Sequence, residues 1–352
     1  MPDAGRLGPG KPRSAGAIPQ RRVPQAWPKD RRFRILSIDG GGIRGVFPAA
    51  ALAALERTYT GGRSVADYFD LIAGTSTGGI LALGLGARLS AAKLLDLYAA
   101  RGCEIFRPFP NNPLGRLRAW LRDQRQYARY SYDSEALRRL LTEQLGDRLF
   151  GESRSRLCIP AFDGRHGEVF VFKTPHNRDY KTDRFELMVN VALATAAAPT
   201  YFRPLELGGY TLVDGGVWAI NPVMLAVIEA LICFDVNRDQ IDVLSLSCGE
   251  DRYVVSDAEV VRGGRWHWKN IMGAAMTLQS RAATNQARLL LSPPQVFRIG
   301  PPVLTSPIRM DDWRRSVAEL IPAAEQVIHE HGARIAMMFL MEQSAPYLPD
   351  QP

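Results

Sequence analysis

Gly74-Thr75-Ser76-Thr77-Gly78 follows the apolar run Tyr68-Phe69-Asp70-Leu71-Ile72-Ala73 and precedes Gly79-Ile80-Leu81-Ala82-Leu83-Gly84-Leu85. The first run predicts a buried strand and the last a helix packed into the core. A Gly-x-Ser-x-Gly between strand and helix is the pattern of a nucleophile elbow. Side chains at the flanking positions of so tight a turn would clash, and glycine tolerates positive φ. The turn pushes the Ser76 hydroxyl out at the end of the sheet, beside the positive end of a helix. Small-residue turns are common, so these five residues do not decide the chemistry alone.

A second element lies upstream. Arg34-Ile35-Leu36-Ser37-Ile38 reads as a strand and leads into Asp39-Gly40-Gly41-Gly42-Ile43-Arg44-Gly45. Three glycines at a strand-to-helix turn leave backbone N–H groups bare, and such groups bind an anion or a developing oxyanion. The same letters fit a dinucleotide fingerprint, Gly40-x-Gly42-x-x-Gly45. That fingerprint wants an acid at the end of the next strand, where this chain has Ala73-Gly74 and then Ser76. A third element is Leu212-Val213-Asp214-Gly215-Gly216-Val217, a strand ending on an acid with an open turn after it. A base for Ser76 must reach its hydroxyl, and Asp214 at a strand end can do so in an α/β sheet. Its plain reading is an Asp-Gly turn.

With these three motifs in this order the chain resembles the bacterial patatin-like phospholipases. The likeness runs from about Phe33 to about Gly249 and takes in Ala196-Ala197-Ala198-Pro199-Thr200-Tyr201-Phe202. It implies a three-layer α/β/α patatin-like fold with a mostly parallel central sheet. It also implies that Ser76 and Asp214 form a Ser-Asp dyad, with Gly40, Gly41, Gly42 and Thr77 around the oxyanion hole. Arg44, Gly45, Gly74, Gly78, Gly215 and Gly216 support the motifs. The chain departs from the family at Ile220-Asn221-Pro222, where relatives often carry two asparagines before the proline. The rival is a histidine triad drawn from His166, His176, His267, His329 and His331. His267, His329 and His331 follow Asp214, so the order Ser, acid, His is open to them. None of the five sits in a glycine-flanked strand-end setting.

Within the family the chain looks like the soluble type that serves as an effector in cyclic-oligonucleotide (CBASS) anti-phage signalling. That likeness also covers Phe162-Asp163-Gly164-Arg165-His166-Gly167-Glu168-Val169. It implies a phospholipase that a cGAMP-like cyclic dinucleotide switches on and that attacks the host's own membrane. No cofactor is required for the chemistry, and no metal. The partners implied are a phospholipid bilayer surface, a cyclic dinucleotide and, where the chain self-associates, a homo-oligomer. The residues themselves mark no nucleotide pocket. Arg252, Arg262, Arg265, Trp266 and Trp268 could cradle phosphates and stack bases, or serve as surface charge and core aromatics. Three other functions stay open: a constitutive lipid acyl hydrolase without nucleotide control, an acyltransferase using the same acyl-enzyme, and a non-catalytic lipid- or nucleotide-binding protein.

Composition bounds the rest. The 352 residues are 46% apolar, enough for one large α/β domain. No run of 18 apolar residues predicts a spanning helix, and no secretory h-region is expected, so the chain is expected in the cytoplasm; peripheral action at the inner membrane is what the resemblance implies. The dispersed Cys103, Cys158, Cys233 and Cys248 read as free thiols. Residues 1–34 carry nine Lys or Arg against Asp3 and Asp30, which accounts for seven of the net +8 charges. With its Pro and Gly, the stretch 1–32 is expected to be a disordered basic tail, and 33–345 a single domain with a helical region from about 255 to 345 of regulatory role. Leu114, Leu117, Trp120 and Leu121 recur at helical spacing among Arg116, Arg118, Arg122, Arg125 and Arg129. This predicts either a membrane-interface helix or an ordinary surface helix. The folded part is nearly neutral, so nucleic acid is not an expected partner.

Overall fold

The computed structural model describes residues 12, 22–107, 112, 114–115, 129–250, 254–255, 257–262, 271–302 and 306–348. Its centre is strand β1 (Phe33–Ile38), buried along its whole length. The two-residue period of a strand sends Phe33 and Ile35 to one face of the sheet and Leu36 and Ile38 to the other. Both faces are therefore apolar, as a parallel sheet between helices requires.

Seven further strands complete the sheet: β2 (Leu71–Gly74), β3 (Leu157–Asp163), β4 (Glu168–Lys173), β5 (Leu205–Leu207), β6 (Tyr210–Asp214), β7 (Ile241–Leu246) and β8 (Val296–Ile299). Their order is β5-β6-β3-β2-β1-β7-β8, with β4 also paired to β3. The pairs β1–β2, β1–β7, β2–β3 and β7–β8 are parallel. Those of β3 with β4 and β6, and of β5 with β6, are antiparallel.

Among the described residues, the helices of eight or more residues are α1 (Val46–Tyr59), α2 (Thr77–Gly86), α3 (Ala91–Ala99), α4 (Ser134–Leu145), α5 (Met188–Thr195), α6 (Val223–Cys233), α7 (Ile271–Leu291) and α8 (Ile321–Ile335). Local chemistry sets their ends. Ser90 caps α3 by accepting from the Lys93 N–H, Asp133 caps α4 by accepting from Glu135, and α4 stops at Gly146 with φ 60°. Helices α1 to α5 and α8 pack on one face of the sheet through residues such as Phe47, Leu52, Leu83 and Ile328. Helices α6 and α7 pack on the other through Val223, Val227, Ala283 and Ala287. This is the three-layer α/β/α arrangement with a mostly parallel sheet.

Two expectations change. The basic stretch does not run free to residue 32. From Arg22 onward it lies against the body: the Gln25 N–H donates to Cys233 O at 2.8 Å, and the Asp235 N–H donates back to Gln25 O at 2.7 Å. Trp27 is buried, its ring 4.7 Å from Phe33 and 5.6 Å from Phe234. Lys29, Arg31 and Arg32 meet Asp235, Asp70 and Asp242. One aromatic anchor and these acids outweigh the local composition. The region after 255 is not purely helical either, since Val296–Ile299 adds edge strand β8 beside β7. Most of the basic helix expected over 114–130, residues 116–128, lies outside the described residues.

Candidate active site

The sheet brings Ser76 and Asp214 together through β3. The first residues of β3, Leu157 and Cys158, pair with Ile72 and Ala73 of β2 in parallel. Its last, Ala161 to Asp163, pair with β6 in antiparallel, with Ala161 opposite Asp214. Thus β2 and β6 run toward each other along β3, and their C-terminal ends face across the gap at Ile159 and Pro160. Pro160 has no N–H with which to extend either ladder. Ser76 follows the end of β2 and Asp214 is the end of β6.

The elbow is closed by glycines. A Cβ on Gly74 would lie 2.1 Å from Gly78 O, and one on Gly78 would lie 2.3 Å from Ile38 O. Ser76 takes φ 54° and ψ −120°, a strained conformation for a non-glycine residue. Surrounding bonds hold it there. Its N–H donates to Thr195 Oγ1 at 3.0 Å, and Thr195 in turn donates to Pro160 O at 2.6 Å. The Thr75 hydroxyl donates to Ala219 O at 2.6 Å.

The Ser76 hydroxyl donates to Asp214 Oδ2 at 2.6 Å. The other carboxylate oxygen accepts from the Gly216 N–H at 2.6 Å. Asp214 itself is 5% exposed. Burial raises its pKa to about 6, against the lowering effect of the bonds from Ser76 and Gly216. Its N–H donates to Ala197 O at 3.1 Å. The end of α5 and the turn after it therefore touch both partners, through Thr195 and through Ala197. A Cβ on Gly215 would lie 2.3 Å from Pro160 O, so the Asp-Gly-Gly turn is pressed against β3.

The glycine loop lies over Ser76. A Cβ on Gly40 would stand 3.2 Å from Ser76 Cβ. Gly42 has φ +60°, and a Cβ there would be 2.4 Å from Met310 O. The N–H groups of Gly41, Gly42 and Thr77 donate to no group among the described residues and line the same cavity as Ser76. Gly40 leaves the expected donor set: its N–H already donates to Ile220 O at 2.9 Å, so its part is close approach to Ser76 rather than anion binding. Arg44 Nε reaches back to Gly41 O at 3.4 Å. Gly45 packs on Thr77, where a Cβ would meet Oγ1 at 2.1 Å. Thr77 is fixed by Tyr98, whose hydroxyl accepts from Thr77 Oγ1 at 2.6 Å and donates to Thr77 O at 3.0 Å.

The loop's Asp39 is 3% exposed and bonds Arg298 Nη2 at 2.5 Å. Arg298 also holds Glu250 at 2.6 Å and Ser245 at 2.6 Å. Burial pushes the Asp39 carboxyl up while Arg298 opposes it. Sequence reasoning missed Arg298 and Thr195. Arg298 sits on a four-residue strand, and Thr195 is one hydroxyl in an alanine-rich run.

Ser76 and Asp214 lie in the wall of a cavity of about 330 Å³ otherwise lined by Ile43, Ile80, Leu97, Phe106, Leu140, Met276 and other apolar side chains. No described histidine lines it. His166 is held by Asp163 at 2.5 Å, His176 by Glu229 at 3.1 Å, and His329 and His331 are on α8. His267 lies outside the described residues, as do Arg252, Arg265, Trp266 and Trp268 and the side chain of Arg262. The arrangement of a carboxylate on a serine hydroxyl, with free N–H groups beside it and an apolar hollow, suits attack on the ester of an acyl chain.

Away from this site, Cys158, His176 and Glu229 place ligand-type atoms within 4.8 Å of one another. The Glu229 carboxylate already takes Lys173 Nζ at 2.5 Å, His176 Nε2, Cys233 Sγ and the Tyr180 hydroxyl. An ammonium stands where a cation would bind, so the group is a closed hydrogen-bonded cluster. All four cysteines are free. No helix among the described residues is long and apolar enough to cross a membrane.

The family described as "Patatin-like phospholipase" matches residues 36–227. A protein of Vibrio cholerae named "cGAMP-activated phospholipase" is 39% identical over 208 residues, 56% of this chain and 58% of that one. Another of that name from Pseudomonas aeruginosa is 38% identical over 199 residues, 56% of each chain. "Patatin-like protein 2" of Oryza sativa subsp. indica is 32% identical over 277 residues, 68% of this chain and 67% of that one. The chain thus spans little more than half the length of the two bacterial relatives. The chain belongs to the patatin-like phospholipase family.

Proposed function

We propose that this protein hydrolyses acyl esters of membrane phospholipids through a Ser76–Asp214 dyad. The observation that carries the reading is the 2.6 Å bond between Ser76 Oγ and Asp214 Oδ2 in the wall of an apolar cavity. Ser76 Oγ attacks the ester carbonyl carbon while its proton passes to Asp214. The carbonyl oxygen becomes an oxyanion, met by the N–H groups of Gly41, Gly42 and Thr77. One such donor is worth about 3 kcal/mol of barrier. The C–O bond to the lysophospholipid then breaks, and the leaving oxygen takes the proton from Asp214. Water attacks the acyl-enzyme while Asp214 accepts its proton; the bond from the acyl carbon to Ser76 Oγ then breaks, Asp214 returns the proton to Ser76 Oγ, and the fatty acid leaves. A carboxylate of pKa about 6 is a stronger base than an ordinary one and is still ionised at pH 7.

Control by a cyclic dinucleotide, in anti-phage defence, is part of the proposal. It is supported by the words "cGAMP-activated" in the names of the bacterial relatives. The test is fatty-acid release from mixed phospholipid vesicles by the wild type and Ser76→Ala, with and without a panel of cyclic dinucleotides. Release by the wild type with one nucleotide only supports the full reading. Release without nucleotide removes the switch. Equal release by Ser76→Ala removes the dyad.

A further inference from the structure

Helix α7 breaks the usual rule for a surface helix at its start. From Ile271 to Ser280 it carries no charged residue. Such a stretch belongs in a core or in a non-aqueous phase. Here Ile271 is 45% exposed, Met272 59% and Leu278 58%. Beyond Arg281 the helix becomes ordinary, burying Ala283, Ala287 and Leu291 against the sheet. The apolar end is also the rim of the Ser76 cavity: Met272 and Met276 line that cavity, and so does Val217, 41% exposed and three residues after Asp214.

We propose that Ile271, Met272, Leu278 and Val217 form the face on which this protein seats itself on a phospholipid bilayer, so that an acyl chain passes from the membrane into the cavity without crossing water. The inference rests on the ester-hydrolase reading of the site. The continuity of this face with the cavity, through Met272, Met276 and Val217, chooses a lipid surface over a protein partner. A protein seated here would cap the mouth through which substrate reaches Ser76. An apolar face at the rim of an apolar cavity suits a membrane interface. Methionines suit an irregular lipid surface, being unbranched and adaptable.

The test uses the full chain and the variant Ile271→Glu/Leu278→Glu, whose residues do not line the cavity, with Leu289→Glu as a control on the same helix at 87% exposure. Binding to phosphatidylglycerol/phosphatidylethanolamine vesicles is measured by co-sedimentation in the Ser76→Ala background, with and without the cyclic dinucleotide panel. Hydrolysis of a short-chain water-soluble ester is measured with Ser76 intact. The double variant is expected to bind vesicles at least about tenfold more weakly, while its turnover of the soluble ester stays within about twofold and Leu289→Glu changes neither. Unchanged vesicle binding overturns the proposal. Equal loss on the soluble ester overturns it as well, since the helix then acts on the cavity. A parent dimer that the double variant splits into monomers also overturns it, in favour of a self-interface. If the parent cleaves no ester yet the double variant still loses vesicle binding, the docking face stands and the catalytic reading fails.

Discussion

Keeping Asp214 ionised works against folding, and its replacement should show this. Burial lifts its pKa from 3.8 to about 6. Each tenfold weakening of an acid corresponds to about 1.4 kcal/mol, so the ionised carboxylate costs the folded protein about 3 kcal/mol above pH 6. The sign follows from the direction in which burial moves the group. The unfolded carboxyl titrates near 4 and the folded one near 6, so the cost is present above pH 6 and disappears as pH falls toward 4. Asp214→Asn keeps the shape and has no charge to desolvate. It should abolish ester hydrolysis yet raise stability at pH 8 by up to about 3 kcal/mol. With an unfolding entropy of about 2.1 cal/mol/K per residue, that is a rise in Tm of about 4 °C. The assay is thermal unfolding of both proteins from pH 8 to pH 4.5, beside turnover of a soluble ester. The advantage of the variant should shrink as pH falls through 6. A variant less stable than the wild type at pH 8, or an advantage that grows in acid, would refute the reasoning.

Other outcomes follow from the same geometry. The kcat/KM for a soluble ester should rise with pH and level off above an apparent pKa of about 6, because Asp214 must be ionised to accept the Ser76 proton. Thr195→Val removes the acceptor of the Ser76 N–H and the donor to Pro160 O; kcat should fall at least about tenfold with KM little changed, and unfolding in urea should show a loss of about 1–3 kcal/mol. Thr195→Ser should restore most of both. Arg298→Met leaves Asp39 buried and unpaired and should cost about 3–5 kcal/mol in urea unfolding, with part regained by adding Asp39→Asn. Gly45→Ala drives a Cβ into Thr77 Oγ1 and should lower kcat by about 10²-fold in a protein whose circular dichroism shows it still folded.

The glycines made most of the site readable. Gly74 and Gly78 have no room for a Cβ, and Gly215 and Gly216 open the turn after Asp214, so the letters around the dyad record their geometry directly. The run from Ile241 to Leu246 likewise reads as a buried strand because both its faces meet helices. What stayed illegible depends on partners distant in sequence. Whether Gly40 offers its N–H is settled by Ile220, far along the chain. Arg298 looks like a charge beside a short apolar run until β8 docks on β7 and places it under Asp39. Thr195 gains its meaning only when α5 ends beneath the elbow. The basic stretch misled for the opposite reason. Its composition describes a tail, whereas Trp27 and the acids it meets are a tertiary matter.

Covalent capture of Ser76 tests the central claim most directly. The full chain is treated with a fluorophosphonate ester, with and without the cyclic dinucleotide panel, and the adduct is located by peptide mass spectrometry. One phosphonyl group is expected on Ser76 in the wild type, with strongly slowed labelling in Asp214→Asn, where no carboxylate accepts the proton. Labelling at another residue, or labelling of Ser76 at the same rate in Asp214→Asn, would contradict it.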